Sequence, residues 1–175
     1  MPTNQLKTVT TQNSTSKGIV DHILKNDIVL HSSEILHKLL KKYPDEPGLI
    51  RVYADQLKKN GVLDGAADLY SKAAKLFLEK DKIPAAIALK IMQWRISSPT
   101  KATVNKFLLN LMQVAGDDTP VTLFFCQLNF RELIALFSIA EIIQLPPDHT
   151  VKKVGDTEDS LCFVISGTLK DSMYN

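Results

Sequence analysis

The sequence predicts a mainly α-helical protein, in which an array of antiparallel helix hairpins is followed by a partial β-roll of three to four short strands. Between residues 32 and 116, apolar residues recur at helical spacing in five segments that short loops separate. Short loops between consecutive helices favour antiparallel neighbours, and no strand–helix alternation interrupts them. From Glu141 the apolar spacing falls toward two, which is typical of strands.

Each helical segment carries its own start or stop signal. "SSEILHKLLKKYP" begins at a serine cap with Glu34 in the first turn, and Asn60-Gly61 ends the next segment. Later, Asn129 followed by Glu132 is close to a capping box and predicts one more helix. The predicted helices are "SSEILHKLLKKYP", "GLIRVYADQLKKNG", "LDGAADLYSKAAKLFLEKDK", "IPAAIALKIMQWRISSP", "TKATVNKFLLNLMQVAGDD" and "NFRELIALFSIAE".

The predicted strands lie between turn signals. "EIIQLP", "TVKKV" and "SLCFVIS" are three short strands, and "TLKDS" would begin a fourth. Gly155 and Gly167 stand at turns that favour positive φ, and Asp156 can accept a hydrogen bond from its own turn. These three residues are therefore assigned structural roles in the turns of the roll.

Composition divides the chain into three expected regions. Residues 1–30 are expected to be a flexible leader because their first part is rich in Thr, Gln, Asn and Ser. The helical array is placed at 31–116, and the β-roll with its leading helix at 119–175. Residues 31–118 carry 14 Lys/Arg and 10 Asp/Glu, whereas residues 119–175 carry 4 and 7.

The bulk properties exclude several classes of protein. A formal net charge of +2 implies no strong field for nucleic acid or a membrane surface. No membrane-spanning apolar run and no secretory signal are visible, so a cytoplasmic location is expected. Cys126 and Cys162 lie inside apolar runs, which favours buried, reduced thiols over a disulfide.

Small residues recur at fixed intervals within the helical segments. Counted from Ala54, the residues of the first set lie at offsets of 0, 3, 7, 12, 16 and 19. The second set begins at Ala74 and repeats most of these offsets 20 residues later. This pattern resembles the tetratricopeptide repeat, although Ile50 stands at its usual tryptophan and Leu78 at its usual proline. A generic helical bundle, which needs only the periodicity, is the alternative. The two sets are Ala54, Leu57, Gly61, Ala66, Tyr70, Ala73 and Ala74, Phe77, Asp81, Ala86, Lys90.

In the C-terminal segment a short helix, a strand, Pro-Pro, a strand, Gly-Asp, a strand and Ser-Gly follow one another. This order resembles the opening of a cyclic-nucleotide-binding domain of the cAMP-receptor type, and a generic β-hairpin unit is the alternative. Pro147-Asp148 replaces the usual Pro-Gly. The matching residues are Phe130, Leu133, Ala140, Pro146, Pro147, Val151, Gly155, Asp156, Leu161, Phe163, Ile165, Gly167 and Leu169.

The resemblance also implies what this sequence lacks. In that family a later Phe-Gly-Glu and arginine cassette holds the ribose and cyclic phosphate, and no such cassette follows Gly167. We therefore expect no cofactor, and a cyclic nucleotide only if the roll is completed elsewhere. The chain is expected to be either a fragment of a longer sensor or a remnant whose strands cap the helices.

Catalytic and metal-binding residues are not recognisable. The histidines lack partners at metal-ligand spacing, and no phosphate-binding loop or nucleophile elbow is present. The acidic pairs and Ser166-Gly167 are interpreted as residues of turns, and Trp94 as a residue that packs between helices. The lysines are interpreted as a solvated helix face, and a surface that binds an acidic peptide is the alternative. These residues are His22, His31, His37, His149, Asp117-Asp118, Glu158-Asp159, Lys58, Lys59, Lys72, Lys75, Lys80, Lys82 and Lys90.

The sequence therefore predicts a non-catalytic protein-interaction and signalling protein. Its helical array would bind another protein, and no nucleic acid or membrane partner is expected. Exposed strand edges in the roll would allow a homodimer. The alternative is a small-molecule sensor whose pocket a second chain completes, or a regulatory fragment of a larger protein.

Overall fold

The computed structural model describes residues 18–24, 30, 32–115, 120–146, 148–153, 155–157, 161–165 and 167–170. Eight helices account for the regular structure of these described residues. They are α1 (residues 18–24), α2 (Ser33–Lys42), α3 (Pro47–Lys59), α4 (Leu63–Glu79), α5 (Ile83–Ile96), α6 (Lys101–Ala115), α7 (Pro120–Gln127) and α8 (Phe130–Ile139).

The prediction of a mainly α-helical protein built of helix pairs is confirmed. Helix α2 contacts α3, α5 contacts α8, and α6 contacts α7. The predicted serine cap forms, because the Ser32 side chain accepts a hydrogen bond from the Ile35 amide. The capping box at α8 also forms: the Asn129 side chain accepts from the Glu132 amide, while the Glu132 carboxylate accepts from the Asn129 amide at 2.8 Å.

The predicted partial β-roll is wrong for the residues that the structure describes. No described residue of 141–170 belongs to a strand, and turns and segments without regular structure occur where strands were expected. Alternating apolar residues fit one face of a sheet, but a strand also needs a neighbouring backbone to which its amides can donate. The local pattern of "SLCFVIS" does not supply that neighbour.

The chain divides into two compact units, one within residues 1–76 and the other within 77–175, and the division falls inside α4. In the first unit, the core contains Ile23, Leu36 and Leu49, against which partly buried residues such as Tyr53 pack. Residues 18–24 belong to the segment that was expected to be a leader, and their Leu24 side chain lies against Gly48. A Cβ at Gly48 would lie 2.6 Å from a terminal methyl carbon of Leu24, so a larger residue here would require the Leu24 side chain to shift.

The second unit is built around α5. This helix has no wholly polar face, and its buried residues include Ile87, Leu89, Ile91 and Trp94. Helices α6, α7 and α8 contribute buried residues to the same core, namely Val104, Phe107, Leu111, Phe125, Leu133 and Phe137. A helix buried on several sides is expected at the centre of a helical unit.

The predicted turns of the C-terminal segment form without strands between them. Gly155 and Gly167 have φ of +92° and +93°, and Asp148, which replaces the usual glycine, has φ of +58°. The Asp156 carboxylate accepts a hydrogen bond from the Lys153 amide at 2.8 Å. Local turn chemistry is therefore independent of sheet formation here.

Several predictions concern residues outside those described. The leader at 1–17 and 25–29, the acidic pairs Asp117-Asp118 and Glu158-Asp159, and the residues His31, Pro147 and Ser166 all lie there.

Candidate interaction surfaces

The turn that joins α3 to α4 is repeated 20 residues later between α4 and α5. In the first, the Val62 amide donates to the Leu57 carbonyl and the Gly61 amide to the Lys58 carbonyl. In the second, the Lys82 amide donates to the Phe77 carbonyl. The Asp81 amide likewise donates to the Leu78 carbonyl.

Both turns have the hydrogen bonds of a Schellman motif. The residue after each helix cap adopts a left-handed conformation, with φ of +79° at Gly61 and +58° at Asp81. The next residue precedes the following helix directly, so each loop has only three residues. The 20-residue spacing seen in the sequence therefore corresponds to a repeated backbone structure.

The alanines of both sets are fully buried, as expected for small residues that let helices approach closely. Ala54, Ala66 and Ala73 have no exposed surface in the first unit. Ala74 has none there either, and Ala86 has none in the second unit. Short side chains at these positions leave room for neighbouring helices to approach closely.

Tyr70 joins α4 to α3. Its ring is completely buried, and its hydroxyl donates a hydrogen bond of 2.7 Å to the Asp55 carboxylate. Burial raises the pKa of Tyr70 well above its usual range, and the hydrogen bond to Asp55 adds to the increase. Asp55 also lies 3.9 Å from the Arg51 guanidinium. The spacing of the first set predicted that Tyr70 fills a gap between helices, but it did not predict that Asp55 would accept its hydrogen bond.

The two repeated turns allow a matched test of their geometry. Asp81→Gly is expected to raise the free energy of unfolding by about 0.5–1 kcal/mol, because glycine adopts positive φ without steric cost. The same substitution removes a carboxylate from the C-terminal end of α4, where the helix dipole disfavours negative charge, and this raises the free energy of unfolding by a further few tenths of a kcal/mol. Gly61→Ala is expected to lower the same free energy by about 1 kcal/mol. Urea unfolding of the full chain measures both, and changes of the same sign would contradict the repeated turn.

Lys90 lies among aromatic rings in the second unit. Its ammonium is 5.8 Å from the Trp94 ring centroid and 5.6 Å from that of Phe107, and it donates to the Gln93 side chain at 2.8 Å. Burial lowers the pKa of Lys90, because removal of water disfavours the charged ammonium. The prediction of a wholly solvated lysine face is therefore wrong for Lys90.

Trp94 occupies the packing position that its sequence context predicted. It is 6% exposed, it stacks on Phe137 at 5.4 Å, and its ring meets the edge of Phe107 at 5.6 Å. The Arg95 guanidinium donates to the Phe137 carbonyl at 3.2 Å and so satisfies a carbonyl in the last turn of α8. Trp94 Nε1 is buried and finds no acceptor among the described residues.

The aromatic contacts continue from this core to the C-terminal segment. Phe137 meets Phe125 at 5.8 Å, and Phe125 meets Phe163 at 5.4 Å. Phe163 also lies 5.6 Å from Phe124. Its predicted role in a roll interior is replaced by contact with α7, a helix that the sequence indicated only as an apolar segment. Cys162 beside it is exposed, contrary to the expectation of burial, whereas Cys126 on α7 is half-buried.

The predicted turn residues also border a hollow. It has a volume of about 450 Å³ and is lined by Val151, Gly155, Asp156 and Thr157. The Asp156 carboxylate is already engaged by the Lys153 amide, and the hollow contains no described basic residue for a phosphate. Its chemistry therefore does not match the nucleotide site that the resemblance implies.

The described residues contain no cluster of three or more His, Cys, Asp or Glu side chains able to hold a metal ion. Within the same residues, no single helix is long and apolar enough to cross a membrane. Helices α7 and α8 together meet that test of length and composition, but the pair is bent by 117°.

Comparison of the chain with protein-family models, with curated proteins and with solved structures gives no match.

Proposed function

We propose that this chain is a non-catalytic protein-interaction protein whose helical part is a tetratricopeptide-like scaffold. The repeated Schellman turn after α3 and α4 is the observation that carries the proposal. Repeated helix pairs joined by short loops present side chains on a continuous surface, which is how such arrays bind other proteins. The proposed role in signalling requires that the activity of the bound protein changes when it binds the scaffold.

The exposed lysines of the first unit indicate where an acidic partner segment would bind. Lys58 and Lys59 are exposed in the last turn of α3, and Lys75 is exposed on α4. Lys72 has a structural role as well, since its ammonium donates to the Pro44 carbonyl at 3.2 Å. Neutralising Lys58 and Lys59 therefore alters the surface while keeping this contact.

The test combines crosslinking with purified binding. A photo-crosslinking residue at position 75 of the full chain captures neighbouring proteins in cells, and each candidate is then purified and titrated against the chain. We expect a stoichiometric complex that Lys58→Gln/Lys59→Gln weakens about tenfold. Lys101→Gln/Lys106→Gln on α6 is the matched control. Equal binding by both variants, or no stoichiometric complex, would contradict the proposal.

The second candidate function is a cyclic-nucleotide sensor that another chain completes. Apolar side chains that are exposed along the C-terminal segment, including Leu161 at 66% and Leu169 at 62%, favour it. For this chain alone we predict no measurable affinity for cAMP or cGMP. Isothermal titration tests this, and micromolar binding would make the sensor the better proposal.

A further inference from the structure

Residues 161–165, here named the strap, lie against one face of α7. The strap contacts α7 through the Phe163 ring, which lies between 5 and 6 Å from the rings of Phe124 and Phe125. Phe163 remains 36% exposed. Leu161, on the same strap, is 66% exposed and contributes little to the contact.

Side-chain packing holds the strap, since Val164 and Ile165 are 45% and 37% exposed and so are more than half buried. Among the described residues, none of the hydrogen bonds involves residues 161–165. Holding five residues of irregular backbone in one conformation costs backbone entropy, which the packing of these partly exposed side chains must offset without hydrogen bonds to described residues. The strap is therefore expected to open more readily than the helices beneath it.

The face beneath the strap has the character of a binding site. Phe125 is buried and belongs to the core, where it also contacts Phe137, so its position is held whether or not the strap is present. Opening the strap would expose Phe124 and one side of Phe125. A preformed aromatic surface of this kind suits a phenylalanine carried on an extended apolar segment.

We propose that the α7 face formed by Phe124 and Phe125 is a docking site for an extended apolar segment with a phenylalanine anchor, and that the strap of the same chain occupies it as a releasable internal ligand. Another segment of that chemistry binds only when the strap opens. The strap therefore regulates access to the site. This inference rests on contacts within the second unit and is independent of the partner proposed for the lysines of the first.

Energy transfer from Trp94, the only tryptophan, to a dansyl-type acceptor on Cys162 reports whether the strap is docked. Cys162 is exposed and labels readily. Burial raises the pKa of the Cys126 thiol, and Cys126→Ala removes its slower reaction. Phe163→Ala in the full chain is expected to lower transfer about twofold or more, while Leu161→Ala on the same strap leaves transfer unchanged.

Competition provides the second measurement. A peptide of residues 157–170 with serine in place of Cys162 is expected to bind Phe163→Ala chains about tenfold more tightly than unchanged chains, because the site is then empty. The same peptide with alanine for phenylalanine should not bind. Unchanged transfer in Phe163→Ala, equal peptide affinity for both chains, or transfer that depends on protein concentration would each overturn the proposal. The last result would mean that the strap docks on a second copy.

Discussion

Replacing Trp94 by alanine is expected to lower the free energy of unfolding by about 3–5 kcal/mol. The indole is buried between Phe107 and Phe137, and its loss leaves a large cavity where α5, α6 and α8 meet. Lys90 would also lose one of its two aromatic contacts. Urea unfolding followed by far-ultraviolet circular dichroism measures the change.

Trp94→Phe is the matched variant, and it should lower the free energy of unfolding by only about 1 kcal/mol. A phenylalanine keeps a ring between Phe107 and Phe137, and it removes the indole N–H that finds no acceptor among the described residues. Removing a buried donor without a partner recovers roughly 1–3 kcal/mol, which offsets part of the lost volume. A cost as large as that of Trp94→Ala would show that Nε1 makes a hydrogen bond and would contradict this packing.

Replacing Tyr70 by alanine should lower the free energy of unfolding by a similar amount, about 3–5 kcal/mol, because its ring is completely buried. Tyr70→Phe should cost about 1.5–3 kcal/mol, since it removes only the hydrogen bond to the Asp55 carboxylate. Equal stability of Tyr70→Phe and the unchanged chain would mean that the bond contributes nothing.

The stability of the unchanged chain should also depend on alkaline pH through Tyr70. The folded pKa of this phenol lies above the unfolded value of 10.0, so the unfolded chain releases the proton first as the pH rises. Its contribution is complete below pH 10 and falls above it by up to about 1.4 kcal/mol per pH unit. The difference between unchanged and Tyr70→Phe chains should therefore narrow above pH 10, measured by urea unfolding at constant ionic strength.

The sequence was most informative where local signals act alone. Caps such as Asn129 with Glu132, and the turn residue Gly61, depend on a few neighbouring residues, and the structure has them as predicted. The burial of Ala66 and Ala73 followed from their spacing, because helix packing repeats with the helical period.

The sequence was least informative where distant backbones must meet. The alternation of Leu161, Phe163 and Ile165 predicted a strand, yet the described residues provide no neighbouring strand, and Phe163 instead contacts α7. The carboxylate partner of Tyr70 and the rings around Lys90 also depend on how helices pack. Neither follows from residue spacing alone.

Residue-resolved hydrogen exchange on the full chain tests the central claim most directly, namely that the ordered binding scaffold is helical and does not include a β-roll. We expect slow exchange in α3 to α6 and at the turn amides of Val62 and Lys82, which donate to the preceding helices. The amides of residues 161–165 should exchange rapidly. Alternating protected amides along 151–170 would reveal a sheet, contradict the helical account, and favour the nucleotide sensor.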